Sequence, residues 1–356
     1  MPQRWSWLRW KWFTSELRSP NHRFGERFML NHEFRRAWDP EPLVIGLVNN
    51  MPSAEFSTTE GQFRRLLSAA SPHGVEVRLR FFALSDVPRR EASRQDLLER
   101  YEDVSRLEDG QLDGMIVSGT EPRAASLRDE PYWPALTRLV EWAEDHTKST
   151  IWSCLAGHAA VLHLDGIKRQ PFARKLSGVF DSVTTTSHPI LTGVPRLCPA
   201  PHSRYNGLPE AELVAHGYEI LTSSPATGPD MVARQGRSLF LFMQGHPEYD
   251  AGALLREYRR DVGRFVGGRT DRYPEIPQGY LNPLTADLLA SFRERATERR
   301  DPRLLDSFPA VLDSEMAHRW REPAVEIYRG WLEYLLLQKD FTARAFRDQP
   351  LHRCPA

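Results

Sequence analysis

A cysteine and a distant His-x-Glu motif are the residues of this sequence whose types and spacing best suit covalent chemistry. Cys154 lies between an apolar run and a series of small residues, a pattern typical of a strand that passes into a helix. His246 and Glu248 follow a second apolar run. A thiol nucleophile needs a base, and the base needs a group that orients it. The pattern therefore predicts an enzyme that carries an acyl fragment on Cys154, with His246 as base and Glu248 as its orienter.

The predicted turn at the cysteine would both activate the thiol and stabilise an oxyanion. A free thiol is mostly protonated at neutral pH, and the amino end of a helix that begins at Leu155 favours the thiolate. The backbone N–H of Leu155 is the first predicted oxyanion donor, and the loop at Thr120 supplies the second. The alternative for Cys154 is a structural thiol, since free cysteines are among the most buried residues.

The spacing of His246 and Glu248 suits a base and its orienter. In an extended chain, residues two apart point to the same face, and Pro247 restricts the backbone between them. The carboxylate can then hold one ring nitrogen while the other faces the thiol. The alternative is an ordinary loop histidine followed by an unrelated acid at a helix start.

The elements that must position these residues alternate between apolar runs and helical patterns. The predicted strands of the first half are 43–48, 75–84, 115–119 and 150–153, and helices are predicted at 57–67, 92–107, 132–146 and from residue 155. Ser57 and Glu60 match a capping box that opens the first of these helices. Such alternation predicts an α/β fold with a doubly wound, mostly parallel sheet flanked by helices.

After about residue 176 the strand-like runs become shorter. They lie at 176–183, 219–223, 230–234 and 239–243, and they are expected to finish the sheet with some antiparallel pairing. Further helices are predicted at 251–265, 285–299, 302–316 and 322–339.

Four regions are expected along the chain. They are an N-terminal extension (1–40), a core (41–270), a C-terminal helical region that packs on the core (271–345), and a tail (346–356). The extension combines Trp and Arg and is expected to be poorly ordered, because termini usually are. The alternative for this segment is contact with a membrane surface or nucleic acid.

Composition excludes several function classes. Lys+Arg and Asp+Glu are equal at 47 each, which provides no global field for nucleic acid or membrane. Three cysteines are too few for a disulfide scaffold and favour a reducing, cytoplasmic location. No apolar run approaches the ~18–20 residues of a membrane span. The histidines lack metal-ligand spacing, so no metal is expected.

A series of short stretches resembles one enzyme family over most of the chain, from about Leu43 to Lys339. The stretches, in order, are 46–52, 59–67, 116–119, 132–133, 154–167, 175–179, 201–205, 245–250, 257–261 and 331–334. In these stretches the sequence is similar to the homoserine O-acyltransferase family of the class I glutamine amidotransferase-like type, commonly called homoserine O-succinyltransferase.

The resemblance implies a flavodoxin-like, class I glutamine amidotransferase-like core with a C-terminal helical appendage, and a homodimer. It implies ping-pong chemistry without a bound cofactor, as a step of methionine biosynthesis. Cys154 would take the acyl group from succinyl-CoA as co-substrate and pass it to the hydroxyl of L-homoserine. By position, Lys175, Ser203 and Arg260 match the family's substrate contacts, and a guanidinium suits a carboxylate. Without a substrate role, Lys175 would be a charge at a strand end, Ser203 a turn hydroxyl and Arg260 a solvated helix residue.

Three positions depart from the family's pattern. No lysine follows Met51-Pro52, and His158 stands where the family often has glutamine. Arg123 aligns with the position associated with acyl choice. One interpretation is that this arginine pairs with the distal carboxylate of a succinyl group, which an acetyl group lacks. The alternative is that its side chain points to solvent.

Other functions would use the same scaffold. An acetyl-CoA donor or a serine-like acceptor keeps the chemistry unchanged. A glutaminase typically has glycine before the nucleophile and glycine and glutamine after it, where this chain has Trp152, Ala156 and His158. A non-catalytic paralogue is disfavoured because Cys154 and the His-x-Glu motif are intact.

Overall fold

The computed structural model describes residues 41–52, 56–107 and 112–347. Its strands are β1 Leu43–Val48, β2 Val77–Ala83, β3 Glu102–Asp103, β4 Gly114–Val117, β5 Ser149–Ser153, β6 Gln170–Thr184, β7 Leu197–Gly207, β8 Glu219–Ser224, β9 Gly228–Gln235 and β10 Leu239–Met243. Its α-helices are α1 Phe56–Ala70, α2 Glu91–Arg100, α3 Trp133–His146, α4 Leu155–Asp165, α5 Glu210–Ala215, α6 Ala253–Val266, α7 Pro283–Glu298 and α8 Arg321–Arg347. The predicted N-terminal extension (1–40) and residues 348–356 of the predicted tail lie outside the described residues, and the boundary at residue 270 stays a prediction.

The strands of the described residues form one sheet in the order β3-β2-β1-β4-β5-β10-β9-β8-β6-β7. From β3 to β10 every neighbouring pair is parallel, and from β10 to β7 every pair is antiparallel. The chain order of the parallel strands reverses between β1 and β4, and open α/β sheets bind ligands at the carboxyl ends of strands near such a reversal. The predicted doubly wound, mostly parallel α/β fold is confirmed.

Helices cover both faces of this sheet. The core on one face includes α3 and α4 residues such as Leu139 and Ala159, and the core on the other includes α1 and α8 residues such as Phe63 and Trp331. Each fully buried side chain of this size stabilises the fold by about 1.5–3 kcal/mol. Because central strands are buried on both faces, they read as continuous apolar runs.

The last helix, α8, packs closely on the middle of the sheet. The indole Nε1 of Trp331 donates to Ser149 Oγ of β5 at 3.0 Å. A methyl group added at Gly114 of β4 would lie 2.7 Å from Leu335 Cδ1, so a larger residue there would force α8 side chains to shift. Helix α8 therefore forms part of the core. No described helix combines the length and apolar character needed to cross a bilayer.

Two local predictions near the first helices were wrong. Ser57 lies inside α1, which begins at Phe56, so it is not the N-cap of that helix. The Glu60 carboxylate binds Tyr101 Oη and Arg100 at 2.7 Å each, rather than the helix start. The second predicted helix, 92–107, ends at Arg100 and is followed by β3 and a 3₁₀ turn.

Two other differences involve proline. The predicted helix 302–316 is instead a pair of 3₁₀ turns, since Pro309 cannot continue an α-helix. Strand β7 was not predicted because Pro199 and Pro201 lie within it. It is the edge strand next to β6, where a missing N–H on the outer side has no cost.

Candidate active site

Cys154 lies in a sharp turn between β5 and α4. Its backbone has φ 49° and ψ −113°, the only positive φ of a non-glycine residue in the described part of the chain. A conformation of this kind costs about 1–3 kcal/mol and persists only where surrounding structure enforces it. The Cys154 amide donates to Met243 O at 2.7 Å, which ties the turn to the end of β10. The thiol is thus held at the carboxyl ends of two adjacent parallel strands.

The loop after β4 lies directly against the amino end of α4. A methyl group added at Gly119 would lie 3.0 Å from Leu155 N and 3.1 Å from Leu155 Cβ. The first N–H groups of a helix have no intrahelical acceptor, so the Leu155 amide can serve an oxyanion. Thr120, half-buried, follows Gly119 in this loop. The structure therefore brings both predicted oxyanion residues to the cysteine turn, and their role stays a prediction.

The segment after β10 is fixed by three successive backbone amides. Gln244 N donates to Asp230 O at 2.8 Å, and Gly245 N donates to the Asp230 carboxylate at 2.9 Å. His246 N donates to Pro201 O of β7 at 2.8 Å. The prolines that hid β7 in the sequence thus belong to the strand that anchors the predicted base.

His246 is hydrogen-bonded to Glu248, and Cys154 acts on its ring electrostatically. Its Nδ1 lies 2.8 Å from Glu248 Oε1, which leaves Nε2 available to the thiol. Burial opposes a charge on the ring, but Glu248 and Cys154 more than offset it and raise the pKa of His246 well above its ordinary value. The fold therefore brings the three residues predicted as catalytic to one site, and their catalytic roles stay predictions.

Glu248 is enclosed by the last helix. Its side chain is 5% exposed, and its Oε2 has no hydrogen-bond partner among the described residues. Tyr328 of α8 is fully buried, and burial together with the nearby Glu248 charge raises its phenol pKa well above the ordinary value. Because the carboxylate is removed from solvent, its attraction for the imidazolium is weakly screened.

Three of the four predicted substrate-binding residues meet at helix α6, in a group that we call the α6 cluster (Lys175, Ser203, Glu257, Arg260, Asp261). Lys175 Nζ lies 2.6 Å from Asp261 Oδ2 and 3.6 Å from Glu257 Oε2. Ser203 Oγ donates to Glu257, and Arg260 lies 3.4 Å from Asp261 and 3.9 Å from Glu257. Burial would raise the pKa of the Glu257 carboxyl, but Lys175, Arg260 and the Ser203 hydrogen bond lower it below the ordinary value. The cluster is thus a charged pair of carboxylates held between two cations.

Tyr249 joins this cluster to His246, the predicted base, and sequence reasoning missed this position. Its ring stacks on His246 with centroids 4.3 Å apart and planes 14° apart. Its hydroxyl donates to Glu257 Oε1 at 2.5 Å. Tyr249 and Glu257 both lie in stretches that resemble the family, and the separation of four between Glu257 and Asp261 on one helix was the available signal for the carboxylate pair.

Arg123 and His158 occupy two different settings. The Arg123 guanidinium donates to Pro88 O at 3.1 Å at the protein surface, and its pairing with a succinyl carboxylate stays a prediction. His158 is 3% exposed within α4, with Nε2 3.1 Å from Gln244 Oε1, and burial lowers its pKa to about 3. It is therefore a neutral residue of the helix core. Within the described residues, no group of three or more His, Cys, Asp or Glu side chains is arranged to hold a metal ion.

Several known proteins are similar to this chain. The family model described as homoserine O-succinyltransferase matches residues 25–342. A homoserine O-succinyltransferase of Rhodopseudomonas palustris is 48% identical over 291 residues, which cover 82% of this chain and 87% of the relative. One of Bradyrhizobium japonicum is 45% identical over 304 residues, which cover 85% and 92%. A solved glutamine amido transferase from Methylobacillus flagellatus is 15% identical with a TM-score of 0.47, covering 83% of this chain and 95% of that one. This chain belongs to the homoserine O-succinyltransferase family.

Proposed function

We propose that this protein transfers a succinyl group from succinyl-CoA to the hydroxyl of L-homoserine through an acyl-Cys154 intermediate. The observation that carries the proposal is the hydrogen bond of His246 with Glu248 beside the strained Cys154 turn, in a chain 48% identical to a homoserine O-succinyltransferase. The raised pKa of His246 favours the imidazolium, which can protonate a departing thiolate.

In the first half-reaction the Cys154 thiolate attacks the thioester carbonyl. The carbonyl oxygen becomes an oxyanion, which the amides at Leu155 and Thr120 would stabilise. The carbon–sulfur bond to CoA then breaks, and the His246 imidazolium protonates the departing CoA thiolate. The products are free CoA, a neutral imidazole and a succinyl thioester on Cys154.

In the second half-reaction neutral His246 accepts the proton of the acceptor hydroxyl. The hydroxyl oxygen attacks the acyl-cysteine, and the Cys154 thiolate leaves beside the imidazolium, which restores the starting state. Arg260 of the α6 cluster would pair the acceptor's α-carboxylate, with Lys175 and Ser203 holding Glu257 in place next to Tyr249. A homodimeric state, a role in methionine biosynthesis and a cytoplasmic location belong to the same proposal.

The test offers purified protein either succinyl-CoA or acetyl-CoA, each with homoserine, serine or no acceptor, while thiol release is measured. The expected result is sustained release only with succinyl-CoA and homoserine. Intact-mass measurement without acceptor should show one succinyl adduct on Cys154. Cys154→Ala should release no thiol above background, because the covalent step has no substitute nucleophile.

The alternatives give different outcomes in the same assay. A preference for acetyl-CoA would contradict the proposed donor, and a preference for serine would contradict the proposed acceptor. Either result would leave the acyl-cysteine chemistry in place. Ammonia release from glutamine would indicate a glutaminase, and full turnover by Cys154→Ala would exclude the acyl-cysteine route.

A further inference from the structure

The ring of Tyr249 lies against the predicted base because a tight turn joins the two residues. Tyr249 N donates to His246 O at 3.1 Å, and Pro247 and Glu248 are the central residues of that turn. Proline suits the first central position of a β-turn, since its fixed φ is already the one required. The turn brings the two rings face to face, with centroids 4.3 Å apart and planes 14° apart. The sequence His-Pro-Glu-Tyr therefore stacks a phenol on the imidazole.

This stack restrains His246 in a direction that Glu248 leaves open. The hydrogen bond between Nδ1 and Glu248 Oε1 lies along the direction in which the ring N–H points, and so fixes which way that nitrogen faces. One hydrogen bond still allows the ring to tilt out of its plane, and a tilt would move Nε2 away from the cysteine turn. The parallel ring of Tyr249 blocks the tilt on one face. Together the two contacts fix both the direction and the plane of the base.

Tyr249 is itself fixed at both ends. Its hydroxyl donates to Glu257 Oε1 of α6 at 2.5 Å. Burial, assisted by the Glu257 charge, raises the pKa of this phenol well above its ordinary value, so the hydroxyl keeps the proton that it donates. At the backbone, Tyr249 O accepts the indole Nε1 of Trp320 at 3.0 Å, and Trp320 is 1% exposed. The ring is thus anchored to two elements outside the turn that carries the base.

The phenol face also favours the charged form of the base. A cation within about 6 Å of an aromatic face is attracted by the ring's quadrupole, and the imidazolium of His246 lies within that distance. Charged and titratable groups of other elements act on these two rings as well. They are Cys154 at the end of β5, His202 of β7, Asp230 of β9 and Glu257 of α6, in addition to Glu248 of the turn itself. All of them remain when Tyr249 alone is replaced, so a change in the titration of His246 then reports the stacked ring.

We propose that Tyr249 is a positioning residue for acyl transfer, whose ring holds the plane of the His246 imidazole and whose hydroxyl ties that plane to Glu257 of the α6 cluster. The inference rests on the proposed function, in which the α6 cluster binds the acceptor. The base is then braced by the helix that receives homoserine. Acylation of Cys154 needs only the stacked ring. Transfer to the acceptor needs the hydroxyl as well, because Glu257 loses a hydrogen-bond donor without it.

The experiment compares two replacements of Tyr249 in the separate half-reactions. Tyr249→Leu removes the aromatic face while filling much of the same space, and both half-reactions should slow roughly 10- to 100-fold, as for a misplaced catalytic group. Tyr249→Phe keeps the face and should keep the rate of acylation by succinyl-CoA. Its kcat/KM for homoserine should fall roughly 3- to 10-fold, as for one lost hydrogen bond. Acyl-enzyme formation is followed by intact mass, and transfer by single turnover with homoserine.

The titration of His246 provides a measurement that needs no substrate. In protein with isotope-labelled histidine, NMR should show the imidazole pKa lower in Tyr249→Leu than in wild type by about 0.5 to 1.5 pH units. The sign follows because an aliphatic side chain does not attract the imidazolium, while leucine still keeps water from the ring. Tyr249→Phe should titrate as wild type does.

Tyr258→Phe is the matched control, because it removes a phenol hydroxyl from the residue next to Glu257 on α6. The Tyr258 hydroxyl donates to Tyr273 Oη at 3.3 Å within a separate apolar cluster. Its loss should leave both half-reactions and the titration unaffected.

Two results would overturn the inference: equal losses in both half-reactions of Tyr249→Phe, or a wild-type titration of His246 in Tyr249→Leu. If urea denaturation shows that Tyr249→Leu does not fold, the half-reactions of Tyr249→Phe decide alone. If wild-type protein forms no acyl-enzyme with any donor, the proposed function fails, and the titration alone decides whether Tyr249 holds the base.

Discussion

The turn at Cys154 and the α6 cluster meet at one active site, but they are built by different means. The turn is positioned by its backbone, through a strand end, a strained residue, the close approach of Gly119, and a hydrogen bond from the Cys154 amide to β10. The α6 cluster is positioned by side chains, through ion pairs among Lys175, Glu257, Arg260 and Asp261. Main-chain geometry tolerates changes of side chain, whereas a buried ion network depends on each member. We therefore expect side-chain substitutions around Cys154 to leave the thiol in position, whereas substitutions in the α6 cluster should weaken substrate binding.

The largest effect is expected at Glu248, which neighbours the Tyr249 link between the two regions. Replacing it with glutamine removes the carboxylate that orients His246 and should lower turnover on the order of 100- to 10,000-fold. It should also lower the raised pKa of His246, so that the neutral base persists to lower pH. The acidic limb of the pH profile for acyl transfer to the acceptor should then move to lower pH. Single-turnover rates of the preformed acyl-enzyme across pH measure both effects.

The control for this variant is Glu141→Gln, which breaks an exposed histidine–glutamate pair between Glu141 and His163. That change should leave both rate and pH profile unaffected. An acidic limb that stays in place in Glu248→Gln would mean that the carboxylate does not set the titration of the base.

Arg260→Gln tests the α6 cluster alone. Loss of its guanidinium should reduce kcat/KM for homoserine roughly 10- to 100-fold while the acylation half-reaction keeps its rate, since the acyl donor does not use this cation. The neighbouring Arg259, which reaches Leu305 O at the surface, provides the matched control as Arg259→Gln. Equal losses in both half-reactions would show that the cluster supports the whole site rather than the acceptor.

The smallest effect concerns the stability of the turn. Cys154→Gly should unfold with a free energy about 1 kcal/mol higher than Cys154→Ala, because glycine adopts a positive φ without strain and this relief exceeds its entropic cost. Urea denaturation of the two inactive variants measures the difference. At Cys198, which lies in ordinary strand backbone, the alanine variant should instead be more stable than the glycine variant. An alanine variant at position 154 as stable as the glycine one would remove the claim of strain.

The contrast between the two regions also explains what could be predicted from the sequence. The strands β1, β4 and β10 are apolar throughout because they are buried on both faces, so they were identified readily. The turn at Cys154 follows from a strand end and small residues, and the His-x-Glu spacing followed from local geometry.

Other features depend on partners that are distant in the chain. Glu60 matched a capping box, but Tyr101 and Arg100 from 40 residues away bind it instead. Strand β7 was hidden because proline is excluded from central strands but not from an edge, and its edge position is a property of the whole sheet.

The position of α8 in the chain has a consequence for biosynthesis. A nascent polypeptide that has already delivered Cys154, His246 and Glu248 to the growing fold still lacks Tyr328, Trp331 and Leu335, which cover one face of the central strands. Until those residues leave the ribosome, the apolar face of β1 and β5 is exposed, a state that favours aggregation and chaperone capture. The enzyme is therefore expected to become competent late, as its final helix closes over a catalytic apparatus that has been synthesised long before.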